Sequence, residues 1–308
     1  GREPRDPGLL DQVAPEVEVH RVRCLEPDDF SDSWQNPPQK VVRNLFKTLD
    51  FLLFPDDRAL WIGPAVRRAV RLARNHQARA IWATGPPFST LVAGLKVHQQ
   101  TGLPLVLDFR DDWTGFNSRF RARRPARQAR EEALERRCLE AASAVVSVTP
   151  GIVEALCQRR PEGVPAERFH LLPNGFDPAH FEEVPSAQSS SGSFQIVHAG
   201  SLYSTRSPKP FLDGLRLWLA GCPPEVRAGV RVLFMGRIEP SLEPLFQAPD
   251  LNGLLERIPF VPHAEALARI RGADLLLLVV DQVERADQIF TGKVFEYLGS
   301  ERPILALV

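Results

Sequence analysis

The sequence predicts an α/β protein made of two Rossmann-like domains with parallel sheets. Strand-like apolar runs alternate with helical stretches of roughly 10 to 15 residues along the chain. One of those runs, Leu105-Val106-Leu107, is apolar without a polar alternate, as expected for a strand covered on both faces. A small, polar stretch from Glu182 to Ser193 interrupts the alternation, which then begins again. These features place one domain at residues 1–182, a connector at residues 183–193 and a second domain at residues 194–308.

The elements follow in order. Val17 to Val22 alternates and predicts a half-buried strand. Val41, Val42, Leu45, Phe46, Leu49, Leu52 and Leu53 form a helical stripe that ends at Pro55. A second helix is expected from Gly63 to Asn75, a strand at Ala80 to Ala83 and a helix from Ser89 to Gln100. Leu105 to Leu107 is the next strand, followed by an Arg-rich helix from Pro125 to Ala141 and a strand at Ala144 to Val148. A helix from Pro150 to Arg159 and a strand from Arg168 to Leu172 close the first half at Pro173-Asn174-Gly175. In the second half strands are expected at Phe194 to Ala199, Val230 to Met235, Ile258 to Val261 and Asp274 to Val280. Helices lie between them at Pro208 to Ala220, near Leu242 and at Ala264 to Arg271. The chain then runs through a helix opened by Thr291 and Gly292, with Val294, Phe295 and Leu298 on one face and a stop at Gly299, into a strand from Ile304.

Composition excludes several classes. Lys and Arg together number 38 and so do Asp and Glu, so no overall basic field points to nucleic acid. No apolar run reaches the roughly 18 to 20 residues that span a bilayer. Cys24, Cys138, Cys157 and Cys222 are far apart and read as reduced thiols of a cytosolic protein. No metal-ligand spacing is evident among the seven scattered His. The start at Gly1 and the stop just after a strand-like run suggest a piece of a longer protein.

In open α/β sheets, ligands bind beyond the carboxyl ends of strands, so the loops there hold the candidate residues. Two such halves joined by a connector leave a cleft onto which these loops are expected to open. Lys293 sits in the first turn of the last helix, where anions are favoured, with Glu296 three residues on. The pair is either a solvated stripe or a diphosphate site, with Glu296 accepting hydrogen bonds from ribose hydroxyls. Gly200 and Ser201 follow the first strand of the second half, and Arg206 adds a cation, so the loop is either an ordinary turn or an anion site. Gly236-Arg237 and the Ile258 to His263 stretch could border a flat base, with Arg237 or backbone groups reading its edge; His263 is expected only to flank the next helix. Thr84-Gly85 and Asp108-Phe109-Arg110-Asp111-Asp112 also end strands. The second group is either an internal Asp–Arg network or a hydroxyl-binding floor. Arg119, Arg121, Arg123, Arg124, Arg127 and Arg130 form a basic stretch that is either a solvated face or a peripheral membrane contact.

Taken in order, Ala83-Thr84-Gly85-Pro86-Pro87-Phe88-Ser89, Asp108-Phe109-Arg110-Asp111, Leu172-Pro173-Asn174-Gly175-Phe176-Asp177, His198-Ala199-Gly200-Ser201-Leu202 and Gly292-Lys293-Val294-Phe295-Glu296-Tyr297-Leu298 resemble the family 4 glycosyltransferases of GT-B fold. The resemblance implies two Rossmann-like domains facing across a cleft, an acceptor side carrying Thr84, Gly85, Asp108, Arg110 and Asp111, and a donor side carrying Gly200, Ser201, Arg237, Lys293 and Glu296. It implies that Glu296 holds the donor ribose and that Lys293 and Arg206 hold the diphosphate. Transfer would be retaining and independent of metal or other cofactor, from a nucleotide diphosphate sugar to a sugar or lipid-linked hydroxyl, in cell-surface polysaccharide or glycolipid synthesis. Gln288 stands where the family often has the first Glu of Glu-x7-Glu, and Asp112 where it often has Pro. The family's first strand and Gly-rich loop are not found, nor is its final helix. Two competitors stay open: a nucleotide-sugar epimerase, and a non-catalytic nucleotide-binding module, which Gln288 would favour.

Overall fold

The computed structural model describes residues 13–23, 53–115, 125–184, 192–282 and 291–307. The chain divides into two compact units, one spanning Glu16–Pro173 and the other Asn174–Val308. The division falls ahead of the connector expected at residues 183–193, because the next helix packs with the second unit. There Phe181 is buried beside Val197 and Leu276, and Arg271 donates to the Phe181 and Val184 carbonyls. Residues 185–191 of the connector lie outside the described residues, as do Cys24 and the helical stripe from Val41 to Leu52.

The first unit holds α1 (Ile62–Asn75), β1 (Ile81–Gly85), α2 (Ser89–Thr101), β2 (Leu105–Phe109), α3 (Pro125–Ala141), β3 (Ala144–Ser147), α4 (Pro150–Gln158) and β4 (Phe169–Leu171). Its sheet is parallel in the order β1-β2-β3-β4. Leu105, Leu107, Phe109 and Val145 are buried in one core with Leu91, Leu95 and Leu139 from the flanking helices, which explains their unbroken apolar run. The strand expected at Val17 to Val22 does not form. Residues 18–23 have no regular structure, and Val17 and Val19 are 56% and 55% exposed. The alternation is present, but no described strand pairs with it.

The second unit holds α5 (Pro178–Glu183), β5 (Phe194–Ala199), α6 (Lys209–Ala220), β6 (Val230–Met235), β7 (Leu255–Ile258), α7 (His263–Gly272), β8 (Leu275–Val279), α8 (Gly292–Gly299) and β9 (Ile304–Leu307). All pairings are parallel, in the order β7-β6-β5-β8-β9. β7 ends where the sequence had placed a strand start: Pro259 and Pro262 lack the N–H that a ladder needs. α8 also differs in its anchoring. Its buried residue is Tyr297, while Leu298 is 57% exposed. Gly299 does not stop the helix by a left-handed turn; Glu301, at φ 57°, takes that conformation. Gly299 is needed for closeness, since a side chain there would meet the Phe176 and Phe181 rings at 2.6 and 2.8 Å.

Candidate functional site

The strand order of the second unit fixes where a ligand can enter. β5 connects onward to β6 on one side, while β8 returns on the other, so the winding reverses between β5 and β8. Open α/β sheets bind ligands beyond the carboxyl ends of the strands at such a reversal. β5 pairs with β6 at six positions but with β8 at only two, Ile196↔Leu275 and Val197↔Leu276. Beyond them the strands part, and two buried side chains take up the backbone groups left over. Tyr297 Oη accepts from the Ala199 amide at 2.8 Å and donates to the Leu277 carbonyl at 3.4 Å. His198 Nδ1 donates to the same carbonyl at 2.8 Å.

At this opening lie Gly200 and Lys293. Gly200 has φ 136°, and a side chain on it would collide with Nζ and Cε of Lys293. Gly236, φ 129°, is bound as tightly, since its Cβ would lie 2.7 Å from the Gly200 carbonyl oxygen. Both positions require glycine for conformation and for space. Burial lowers the Lys293 ammonium to about 8, helped by the nearby Arg206 and opposed by Glu296 and Asp281. Burial likewise takes His198 down to about 3, with Lys293 the next cause, so its ring is neutral at physiological pH. Among the described residues no carboxylate pairs with Lys293, and the buried His198 Nε2, Arg206 Nε and Thr291 Oγ1 have no hydrogen-bond partner.

The other predicted donor residues fall around this point. Arg206 is ion-paired to Asp281 just past β8, and Thr205 Oγ1 donates to the same carboxylate at 2.8 Å. Its charge is therefore already balanced, and Asp281, which the sequence reading missed, fixes its place; a carboxylate directly after a strand at the reversal was the available signal. Ser201 is partly buried in the same turn. Arg237 is exposed at the end of β6, with its carbonyl accepting from Leu202 N at 2.8 Å. Thr291 precedes α8, but its hydroxyl makes no capping bond. Glu296, one turn along, is 3.1 Å from His263 Nε2 at the start of α7. His263 is thus more than a flanking residue: it orients the carboxylate. Gln288 lies outside the described residues.

In the first unit the residues expected on the acceptor side lie at the ends of β1 and β2. Thr84 Oγ1 donates to Asp108 Oδ2 at 3.1 Å, and the Arg110 amide donates to the Gly85 carbonyl at 2.9 Å, so the ends of β1 and β2 are tied together. Asp108 is buried, whereas Arg110 and Asp111 are exposed. Asp112 turns inward to Arg159, which also donates to Glu135 at 2.9 Å, and Glu135 accepts from Thr114 Oγ1 at 2.9 Å. Burial pushes the Glu135 carboxyl up, against the pull of Arg159. Asp112 therefore belongs to an internal network, while Asp108, Arg110 and Asp111 remain at the strand ends. Of the basic stretch, residues 119–124 lie outside the described residues. Arg127 is engaged internally, with Glu131 at 3.0 Å and the Leu53 and Pro55 carbonyls, and Arg130 stacks on Phe54 at 4.4 Å.

One cluster was not expected. Glu18, His20 and His76 bring ligand atoms within 4.8 Å of one another on the surface. All three are exposed, and the Arg68 guanidinium contacts His20 Nδ1 at 3.1 Å, which disfavours a cation there.

A family model, the glycosyl transferase 4-like domain, matches residues 2–175, more than half of the chain. Similar solved structures include HepE of Anabaena in complex with UDP-glucose, at 18% identity and TM-score 0.53, covering 79% of this chain and 63% of that one. OtsA in its apo form is similar at 11% identity and TM-score 0.54, over 79% of this chain and 62% of that one. A Listeria monocytogenes protein described provisionally as a UDP-N-acetylglucosamine 2-epimerase gives 12% identity and TM-score 0.50, over 80% of this chain and 62% of that one. The likeness is one of fold, and the chain spans less than two thirds of the length of these proteins. No curated protein sequence matches. Two Rossmann-like parallel-sheet units and the match over the first of them lead to one assignment: the chain belongs to the glycosyl transferase 4-like domain family.

Proposed function

We propose that the chain is the nucleotide-sugar-handling part of a glycosyltransferase that moves a sugar from a nucleotide diphosphate sugar to a hydroxyl acceptor. The observation that carries this reading is Lys293 seated over Gly200 at the strand reversal, with no carboxylate partner among the described residues and with the buried Arg206 Nε and Thr291 Oγ1 left unpaired there. An anionic ligand that accepts from these donors would satisfy them, whereas His198, which donates through Nδ1, keeps an unprotonated Nε2 that takes a donor. Glu296, held by His263, supplies the acceptor that ribose hydroxyls require.

In the transfer, the acceptor oxygen bonds to the anomeric carbon. The bond from that carbon to the diphosphate oxygen breaks, its electron pair leaves on the phosphate, and the acceptor proton passes to phosphate or solvent. Lys293 and the start of α8 stabilise the charge growing on the leaving diphosphate, a contribution of the preorganised electrostatic kind. Arg206, balanced by Asp281, contributes donors more than net charge. On this reading the transfer is retaining and metal-independent, Gln288 approaches the sugar, and Asp108, Arg110 and Asp111 serve the acceptor. A lipid-linked acceptor in cell-surface glycan synthesis and a cytoplasmic, membrane-associated setting complete it. Among the described residues, no helix is long and apolar enough to cross a membrane.

The experiment is release of nucleoside diphosphate from a nucleotide-sugar panel, with and without hydroxyl acceptors. Acceptor-dependent release with the anomeric configuration kept, as seen by NMR, and undiminished by EDTA supports the proposal; an inverted product rules out retention. The fold shared with the Listeria protein favours an epimerase as the second reading. That enzyme would convert the sugar without acceptor-dependent release.

A further inference from the structure

We infer that Tyr297 and His198 are positioning residues that set the spacing of the diphosphate site; the inference rests on the nucleoside-diphosphate reading of that site. The ladder between β5 and β8 stops after Val197↔Leu276. Past that point the Ala199 amide and the Leu277 carbonyl would be buried without partners, their lost hydration uncompensated. Tyr297 and His198 bond them instead, at 2.8 Å to Ala199 and at 2.8 and 3.4 Å to Leu277. Both side chains are fully buried. They act as a wedge that holds the strands apart where the ligand enters.

The wedge also fixes α8. Tyr297 lies four residues after Lys293 and one after Glu296, and its hydroxyl grips the residue immediately before Gly200. One phenol bond therefore sets how α8 sits over the turn on which Lys293 rests. Its loss lets Lys293 shift relative to the Gly200 amide, while Glu296 keeps its bond to His263. The diphosphate part of a ligand should suffer and the nucleoside part should not. His198 suits this place because its ring is neutral: it donates to Leu277 without adding a charge beside Lys293.

The test is Tyr297→Phe, which removes one oxygen. UDP, GDP and ADP are titrated by calorimetry against the wild type and the variant, beside the matching nucleosides. Amide exchange is followed at Ala199. Diphosphate affinity is expected to fall roughly tenfold, the effect of one unmade buried hydrogen bond. Nucleoside affinity should change little, and the Ala199 amide should exchange faster. A structural role alone would lower stability without moving the diphosphate-to-nucleoside ratio, and that outcome overturns the inference. Should Tyr297→Phe fail to fold, His198→Phe, which leaves Leu277 only the longer phenol bond, repeats the test. Wild-type protein that binds none of the diphosphates overturns the underlying reading and this inference with it. Wild-type binding with an unchanged ratio in the variant overturns the inference alone.

Discussion

The Lys293 side chain occupies the space that a Cβ on Gly200 would need. A lysine from the last helix and a glycine from the end of the first strand of the unit thus depend on each other. The glycine leaves room for the ammonium, and the ammonium covers the turn at the strand reversal.

Gly200→Ala is expected to break this arrangement. The new methyl must displace Lys293, and φ 136° is a conformation that L residues rarely adopt. Nucleoside diphosphate affinity should fall by about tenfold or more, a loss comparable to one charge-assisted hydrogen bond. Calorimetry checks it; wild-type affinity in a folded Gly200→Ala protein would mean that Lys293 is not part of the site.

Lys293 also sets a pH dependence. Its ammonium titrates at about 8, below the ordinary lysine value, because it is buried near Arg206. Binding that needs the charged form is complete below that pH and declines as pH rises through it. An anion beside the ammonium raises its pKa again, so binding near pH 8 should take up protons. Titrations in buffers of different ionisation enthalpy measure that uptake. Lys293→Met should remove both the decline and the uptake.

Glu296 is expected to act on the sugar of the nucleotide and not on its phosphates. Glu296→Ala should weaken UDP by about 1 to 3 kcal/mol, the range for a hydrogen bond to a charged group. The same variant should bind 2′,3′-dideoxy-UDP as the wild type does. Equal losses for both ligands would place Glu296 elsewhere.

Much of this was legible in the sequence, for physical reasons that can be named. In the second unit β8 and β9 are unbroken apolar runs, and β6 falls on Val230–Met235 as expected. Lys293 and Gly200 could be singled out because both follow strand ends, where the α/β architecture puts ligands. What could not be read was pairing. His263 with Glu296, Arg206 with Asp281 and Arg159 with Asp112 join residues far apart in the chain, and no local pattern records them. Tyr297 looked like any aromatic on a helix, although its hydroxyl bonds the Ala199 amide and the Leu277 carbonyl. Val17 to Val22 shows the opposite failure: alternation signals a strand only if a neighbour exists to pair with it.

The inward turn of Asp112 predicts a stability effect separate from ligand binding. Asp112 and Glu135 are both buried and share Arg159. Arg159→Ala leaves two carboxylates without their cation and should cost about 3 to 5 kcal/mol, as for other buried pairs that lose one partner. Chemical denaturation measures the loss. A change below about 1 kcal/mol, the range of surface pairs, would show that the network is solvated.

The most direct measurement of the central claim is calorimetric titration of the wild-type chain and of Lys293→Ala with UDP, GDP and ADP. The account predicts saturable binding of at least one of them by the wild type, weakened by about 1 to 3 kcal/mol in the variant. Equal affinity in the two proteins, or no binding by the wild type, would contradict it.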